Sequence, residues 1–129
     1  MRVLATKWFA QFVRRQHIDK AALCEAISRL AVGLVDADLG GGIVKQRVAR
    51  PGAGRSSGYR TIIAVRRGER AVFVYGFAKS EIDNVSGAEL KALRLLGRTL
   101  LAFDEMQLLA AIAAREIEEL ECDGQDLRK

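Results

Sequence analysis

The chain holds a single histidine, a single proline, a single tryptophan, two cysteines and two tyrosines in 129 residues. Each scarcity excludes something. One histidine, His17, leaves no room for chemistry that needs two imidazoles, and its place before Asp19 suits a surface or capping role. Cys24 and Cys122 have no second Cys or His nearby in sequence, so neither reads as part of a zinc site, and no metal site is expected. They are expected to be two reduced thiols in a reducing compartment. No apolar run reaches the roughly 18 residues that suggest a membrane span. The opening "MRVLATKWFAQFVRR" is too interrupted by polar and charged side chains for a secretory signal. A cytoplasmic location and no membrane partner are the expectation.

Acidic residues are missing from one long stretch. Between Leu39 and Gly68 there are seven cations (Lys45, Arg47, Arg50, Arg55, Arg60, Arg66 and Arg67) and no carboxylate. Between Asp104 and Asp126 the balance inverts, with eight acids and only Arg115 against them. The formal net charge is +5. A middle so depleted of acids reads as a footprint for a polyanion. A merely solvated basic face is the plainer reading, but these cations lie on strand-like runs and a glycine loop, not round one exposed helix.

Half the chain is apolar, which suits one globular domain over residues 1–129. Arg2 to Thr6 alternates like a short strand. "KWFAQFVRRQ" places Trp8, Phe9, Phe12 and Val13 on one helical stripe. Asp19 is placed to cap a second helix, with Ile18 stapling onto Leu23. Its apolar stripe (Leu23, Ile27, Leu30, Leu34) carries on to the glycines of "DADLGGG". Three runs rich in Val, Ile, Phe and Tyr follow: "IVKQRVA", "YRTIIAVRR" and "RAVFVYGF". Arg67-Gly68-Glu69 should join the last two as an antiparallel hairpin. "TIIAV" is apolar on both faces, the mark of a strand covered on both sides. Ser86 and Glu89 form a capping-box signature, and Asp104 with Gln107 a weaker one. The tail from about residue 115 either frays or adds a late edge strand around Glu116 to Leu120. The class is α+β: an antiparallel sheet preceded by a helix pair and followed by C-terminal helices.

The loop "PGAGRSSG" between the first two of these runs invites a nucleotide reading. A phosphate-cradling loop needs a helix after it, because the helix N-terminus supplies the free N–H groups. A strand follows here, and Gly52, Gly54 and Gly58 do not have the spacing of a dinucleotide fingerprint. The loop, with Arg50 and Arg55, is better suited to phosphates along a chain. Lys45 and Arg47 share one strand face at period two, and Arg60 opens the next strand, so the three can converge. Tyr59 and Tyr75 offer rings for base stacking; a core ring is the equal alternative for each.

The stretch from "DADLGGGIVKQRVARPGAGRSSGYRT" to "YGFAKSEIDNVS" resembles the RelE/HigB family of toxins from type II toxin–antitoxin modules, in its HigB-like branch. The resemblance is close over about residues 36–87, and the helix pair before it agrees. It implies a compact RelE-like domain, a cognate antitoxin partner, and cleavage of messenger RNA at the ribosome with no cofactor. The family's basic strand residues match Lys45 and Arg47, its Gly-Tyr-Arg matches Gly58, Tyr59 and Arg60, and its Lys-x-Glu matches Lys79 and Glu81. Many members have an arginine after that lysine, where this chain has Ser80. A C-terminal catalytic tyrosine of some members has no counterpart after Tyr75.

RNA cleavage by internal attack needs a proton removed from the 2′-OH, charge stabilised at phosphorus and a proton given to the 5′-oxygen. Arginine stays protonated and cannot be the base. Arg47, Arg55 and Arg60 are therefore phosphate clamps, and Lys45 is the first candidate for proton transfer, with Lys79 second. The expected catalytic set is Lys45, Arg47, Arg60 and Lys79. The expected RNA-binding set is Arg50, Arg55, Tyr59 and Tyr75. Competing readings are a non-catalytic toxin such as a ParE-type gyrase poison, a plain RNA-binding module, and a degenerate toxin kept as an antitoxin-binding partner.

Overall fold

The computed structural model describes residues 1–50, 54–78 and 85–122, with 54–57 described by backbone alone. Its strands are β1 (Arg2–Thr6), β2 (Ala37–Gly40), β3 (Ile43–Arg50), β4 (Gly54–Arg66), β5 (Arg70–Ala78) and β6 (Ile117–Leu120). Its helices are α1 (Lys7–Gln16), α2 (Lys20–Ala31), α3 (Gly87–Ala102) and α4 (Glu105–Ala113). One six-stranded sheet runs in the order β2-β3-β4-β5-β1-β6. Every pairing is antiparallel except that of β1 with β5. The expected antiparallel sheet is present, and it carries this one parallel seam. β1 enters between β5 and β6, a long-range placement that local pattern cannot show.

The helix boundaries follow from their caps. Thr6 Oγ1 accepts from the Phe9 N–H and starts α1. His17 ends it with φ 55°, a left-handed conformation that histidine tolerates better than bulkier residues. Asp19 occupies the N-cap position of α2 without a side-chain cap bond, while Ile18 and Leu23 are both buried in one cluster. α2 stops at Ala31, short of the expected end. Gly33 (φ 85°) donates to Leu30 O and Leu34 donates to Arg29 O, the paired bonds of a glycine-terminated helix. Leu34 is left exposed, so the apolar spacing there was coincidental. Ser86 with Glu89 and Asp104 with Gln107 both form complete capping boxes.

"ADLG" forms β2, an element that the glycine run hid. Gly40, Gly41 and Gly42 all have positive φ (80°, 64° and 83°), which lets β2 reverse tightly into β3. The Arg94 side chain of α3 donates to the Leu39 carbonyl and holds this corner.

The sheet is covered on both faces. On one, Phe9 and Phe12 of α1 and Leu23, Ile27 and Leu30 of α2 pack on Val44, Val48, Tyr59, Ile63 and Phe73. On the other, Leu100, Leu101 and Leu108 of α3 and α4 pack on Leu4, Ile43, Ile62, Ala64 and Val72. "TIIAV" is therefore central and two-sided, as its composition requires. Two glycines allow close approach. A Cβ on Gly76 would lie 2.7 Å from the Phe12 ring, and one on Gly97 would lie 3.0 Å from the Ala64 Cβ. Gln46 is fully buried and satisfied: it donates to Ala26 O and Leu34 O and accepts from Asp36 N.

The strand expected near Glu116 to Leu120 exists as β6. Arg2 ties it down through Glu119 (2.9 Å) and reaches Glu105 of α4 (2.6 Å). The hydrogen bond to Glu119 raises the Arg2 guanidinium pKa above its ordinary value. Beyond β6 comes a correction: Cys24 and Cys122 are joined in a disulfide, with Cα atoms 5.4 Å apart. The two lie 98 residues apart, and only the return of β6 alongside β1 brings Cys122 over α2. The expectation of two reduced thiols is overturned here. Among the described residues no helix is long and apolar enough to cross a membrane.

Candidate nucleic-acid interface

Register decides which cations converge. Arg47 is the Cα partner of Arg60, and Lys45 that of Ile62. Ile62 belongs to the cluster on the α3–α4 face, so Lys45, Arg47 and Arg60 leave the sheet on that side, as period two predicts. On the next strand Phe77 pairs with Arg60, and Tyr75 with Ile62. The result is a cationic row on β3 and β4 continuing into an aromatic row on β5.

The three cations differ in setting. Arg47 is exposed and Lys45 half-buried. Arg60 is only 7% exposed, and its register partner on β5 is Phe77. The acid-free stretch is not isolated from acids in space. Asp36, just before β2, accepts from the Arg47 backbone N–H at 2.6 Å and lies 3.9 Å from its guanidinium. It also lies 3.7 Å from Arg29 of α2. Sequence distance concealed this carboxylate, and the only signal for it was its place just before the glycine reversal. Among the described residues no carboxylate forms an ion pair with Lys45.

The expected RNA-binding residues separate. Tyr75 is half-buried on the same face as the cations and stacks on Trp8. Tyr59 is a correction. It is 2% exposed in the core beneath α1 and α2, and its hydroxyl lies 3.3 Å from both Gln16 O and Gln16 Oε1. A ring held there is not offered to a base. Odd-numbered Tyr59 and even-numbered Arg60 necessarily point to opposite faces of β4, which the "GYR" reading overlooked. Arg50 lies over that ring, 5.4 Å from its centroid, and so belongs to the face opposite Lys45. Arg55 has its backbone in β4, and its side chain lies outside the described residues. So do Lys79, Ser80 and Glu81.

The presumed loop before "GYR" is mostly strand, because β4 begins at Gly54. Gly58 has a specific reason to lack a side chain. The pairing slips between Val48 and Arg50, and this irregularity pushes β3 backbone toward β4. A Cβ on Gly58 would lie 2.2 Å from Val48 O and 3.0 Å from Arg50 N. Glycine there serves the close approach of two strands, with no need of a bound phosphate to explain it.

An extended sheet carrying two arginines and a lysine on one face, with aromatic rings beside them, can grip a phosphate chain and orient its bases. No curated protein was found to match the chain. The family described as "RelE toxin of RelE / RelB toxin-antitoxin system" matches residues 1–120, nearly the whole length. The chain belongs to the RelE toxin family.

Proposed function

We propose that this toxin is a ribosome-dependent endoribonuclease that cuts messenger RNA and so stops translation. Membership of the family makes it the toxin of a toxin–antitoxin pair, with an antitoxin as partner. The observation that carries the finer reading is the register pairing of Arg47 with Arg60, with Lys45 two residues along the same face.

In the proposed reaction the substrate 2′-oxygen attacks the adjacent phosphorus and the P–O5′ bond breaks. The products are a 2′,3′-cyclic phosphate and a free 5′-hydroxyl. Arg47 and Arg60 neutralise the charge that builds on the phosphoryl oxygens. The proton lost by the 2′-hydroxyl passes by way of Lys45 to the departing 5′-oxygen, and Lys79 is the second candidate for that transfer. A group of cations without a histidine or a carboxylate pair is a modest acid–base catalyst. Such a site depends heavily on alignment of the substrate, which the ribosome would supply. Expression of the toxin in growing bacteria, followed by primer extension on a reporter message, tests this. Cuts confined to translated sequence are expected. Growth arrest with intact messages would instead favour a non-catalytic toxin.

A further inference from the structure

Trp8 is the only tryptophan of the chain and is 41% exposed. It stands in the first turn of α1, where the chain leaves β1 beside β5. Its ring stacks on Tyr75 (centroids 4.7 Å apart, planes at 26°) and on Phe12 (5.6 Å, 12°). Tyr75 in turn lies 6.1 Å from Phe77. Arg15, two turns along α1 and exposed, places its guanidinium 6.0 Å from the Trp8 ring centroid. These residues and Gln16 line a cleft of about 320 Å³.

The position of the cleft is as telling as its contents. Phe77 is the register partner of Arg60, which is the partner of Arg47. The cleft therefore continues the cationic row across the sheet, at a spacing of about 4.8 Å per strand. Trp8 and Tyr75 also wall a second groove on their other side, lined by Leu93, Leu96 and Leu100 of α3. That groove suits apolar side chains. The cleft differs, with an arginine and an amide on its rim and aromatic rings within. A ligand with a flat π face and a neighbouring negative charge matches it, which describes a nucleotide.

We propose that Trp8, Tyr75 and Arg15 form a nucleobase slot, floored by the buried Phe77 (4% exposed), in which a base of single-stranded RNA flanking the scissile phosphate stacks on the accessible rings and Arg15 meets its phosphate. This rests on the reading of the Arg47–Arg60 row as a track for RNA phosphates, and extends it to the bases.

The lone tryptophan makes the slot directly observable. The full-length toxin would be titrated with a short single-stranded oligonucleotide carrying 2′-deoxy sugars, which cannot be cut by internal attack. A saturable quench of Trp8 fluorescence is expected, weakening as salt rises and at least about tenfold weaker in Arg15→Ala. In ribosome-dependent cleavage, Trp8→Ala should lower kcat/KM by about 10- to 100-fold, and Trp8→Phe by less than about threefold. Quenching without ribosomal cleavage would support the slot and sink the nuclease reading. Cleavage by the wild type with no quench would sink the slot alone. Loss of antitoxin binding in Trp8→Ala, with RNA quenching in the wild type absent, would assign the cleft to the antitoxin and overturn the proposal.

Discussion

Arg47 and Arg60 stand directly opposite each other across β3 and β4, so two guanidinium side chains leave one face of the sheet from adjacent strands. Like charges placed this way cost a sheet about 0.2–1 kcal/mol. Asp36 relieves part of that cost from the Arg47 side. A phosphate bound between the two would relieve more of it, and would be held by two donors with fixed spacing. The first prediction follows from this pair: Arg60→Ala should reduce RNA cleavage by about 100-fold or more and abolish growth inhibition. Antitoxin binding, measured by calorimetry, should persist. Full toxicity from the variant would remove Arg60 from the site.

Gly58 tests the local architecture. A Cβ there meets Val48 O at 2.2 Å, and that atom is backbone within a paired strand. Gly58→Ala should destabilise the fold by about 3 kcal/mol or more, beyond the ordinary cost of overpacking. Urea denaturation against the wild type reads this. An unchanged midpoint would contradict the strand geometry around residues 48–58.

Arg70 of β5 donates from one terminal nitrogen to Leu100 O (2.8 Å) and Phe103 O (2.9 Å). These carbonyls lie at the C-terminus of α3, where a cation also complements the helix dipole. Arg70→Met keeps the apolar stem and removes the charge. The expected loss is about 1–3 kcal/mol, seen as a lower thermal midpoint with Lys45, Arg47 and Arg60 untouched.

The disulfide between Cys24 and Cys122, 98 residues apart, closes about three-quarters of the chain into a loop. Restricting the unfolded state over such a loop is worth about 4.7 kcal/mol in the chain-entropy picture. Denaturation with a reducing agent should give a correspondingly lower stability than without it, and thiol titration of the unreduced protein should find no reactive groups. Equal stability in both conditions, with two titratable thiols, would show the pair to be open.

Much of this fold is legible wherever the deciding interactions are local. The capping boxes at Ser86 and Asp104, the Arg2–Thr6 strand, the "KWFAQFVRRQ" helix and the hairpin at Gly68 all follow from residues within a few positions of one another. Long-range features are not legible in this way. The parallel seam of β1 with β5 and the bond between Cys24 and Cys122 are made by segments far apart in the chain. β2 was hidden because three glycines outweigh four residues of strand. The same division runs through the site. Period two puts Lys45 with Arg47, and the β3–β4 pairing adds Arg60. Asp36 and Trp8 reach the neighbourhood from outside the basic block, so charge distribution could not announce them. Tyr59 was misplaced because adjacency to Arg60 in sequence means opposition in a strand.

The central claim is that this cationic face cuts RNA aligned by the ribosome. Purified toxin should be incubated with one message, either free or engaged on translating ribosomes, and the 5′ ends mapped. Discrete cuts in the ribosome-bound message, little cutting of the free message, and loss of the cuts in Arg60→Ala and Lys45→Ala are expected. An intact ribosome-bound message under conditions where the same toxin arrests growth would contradict that claim.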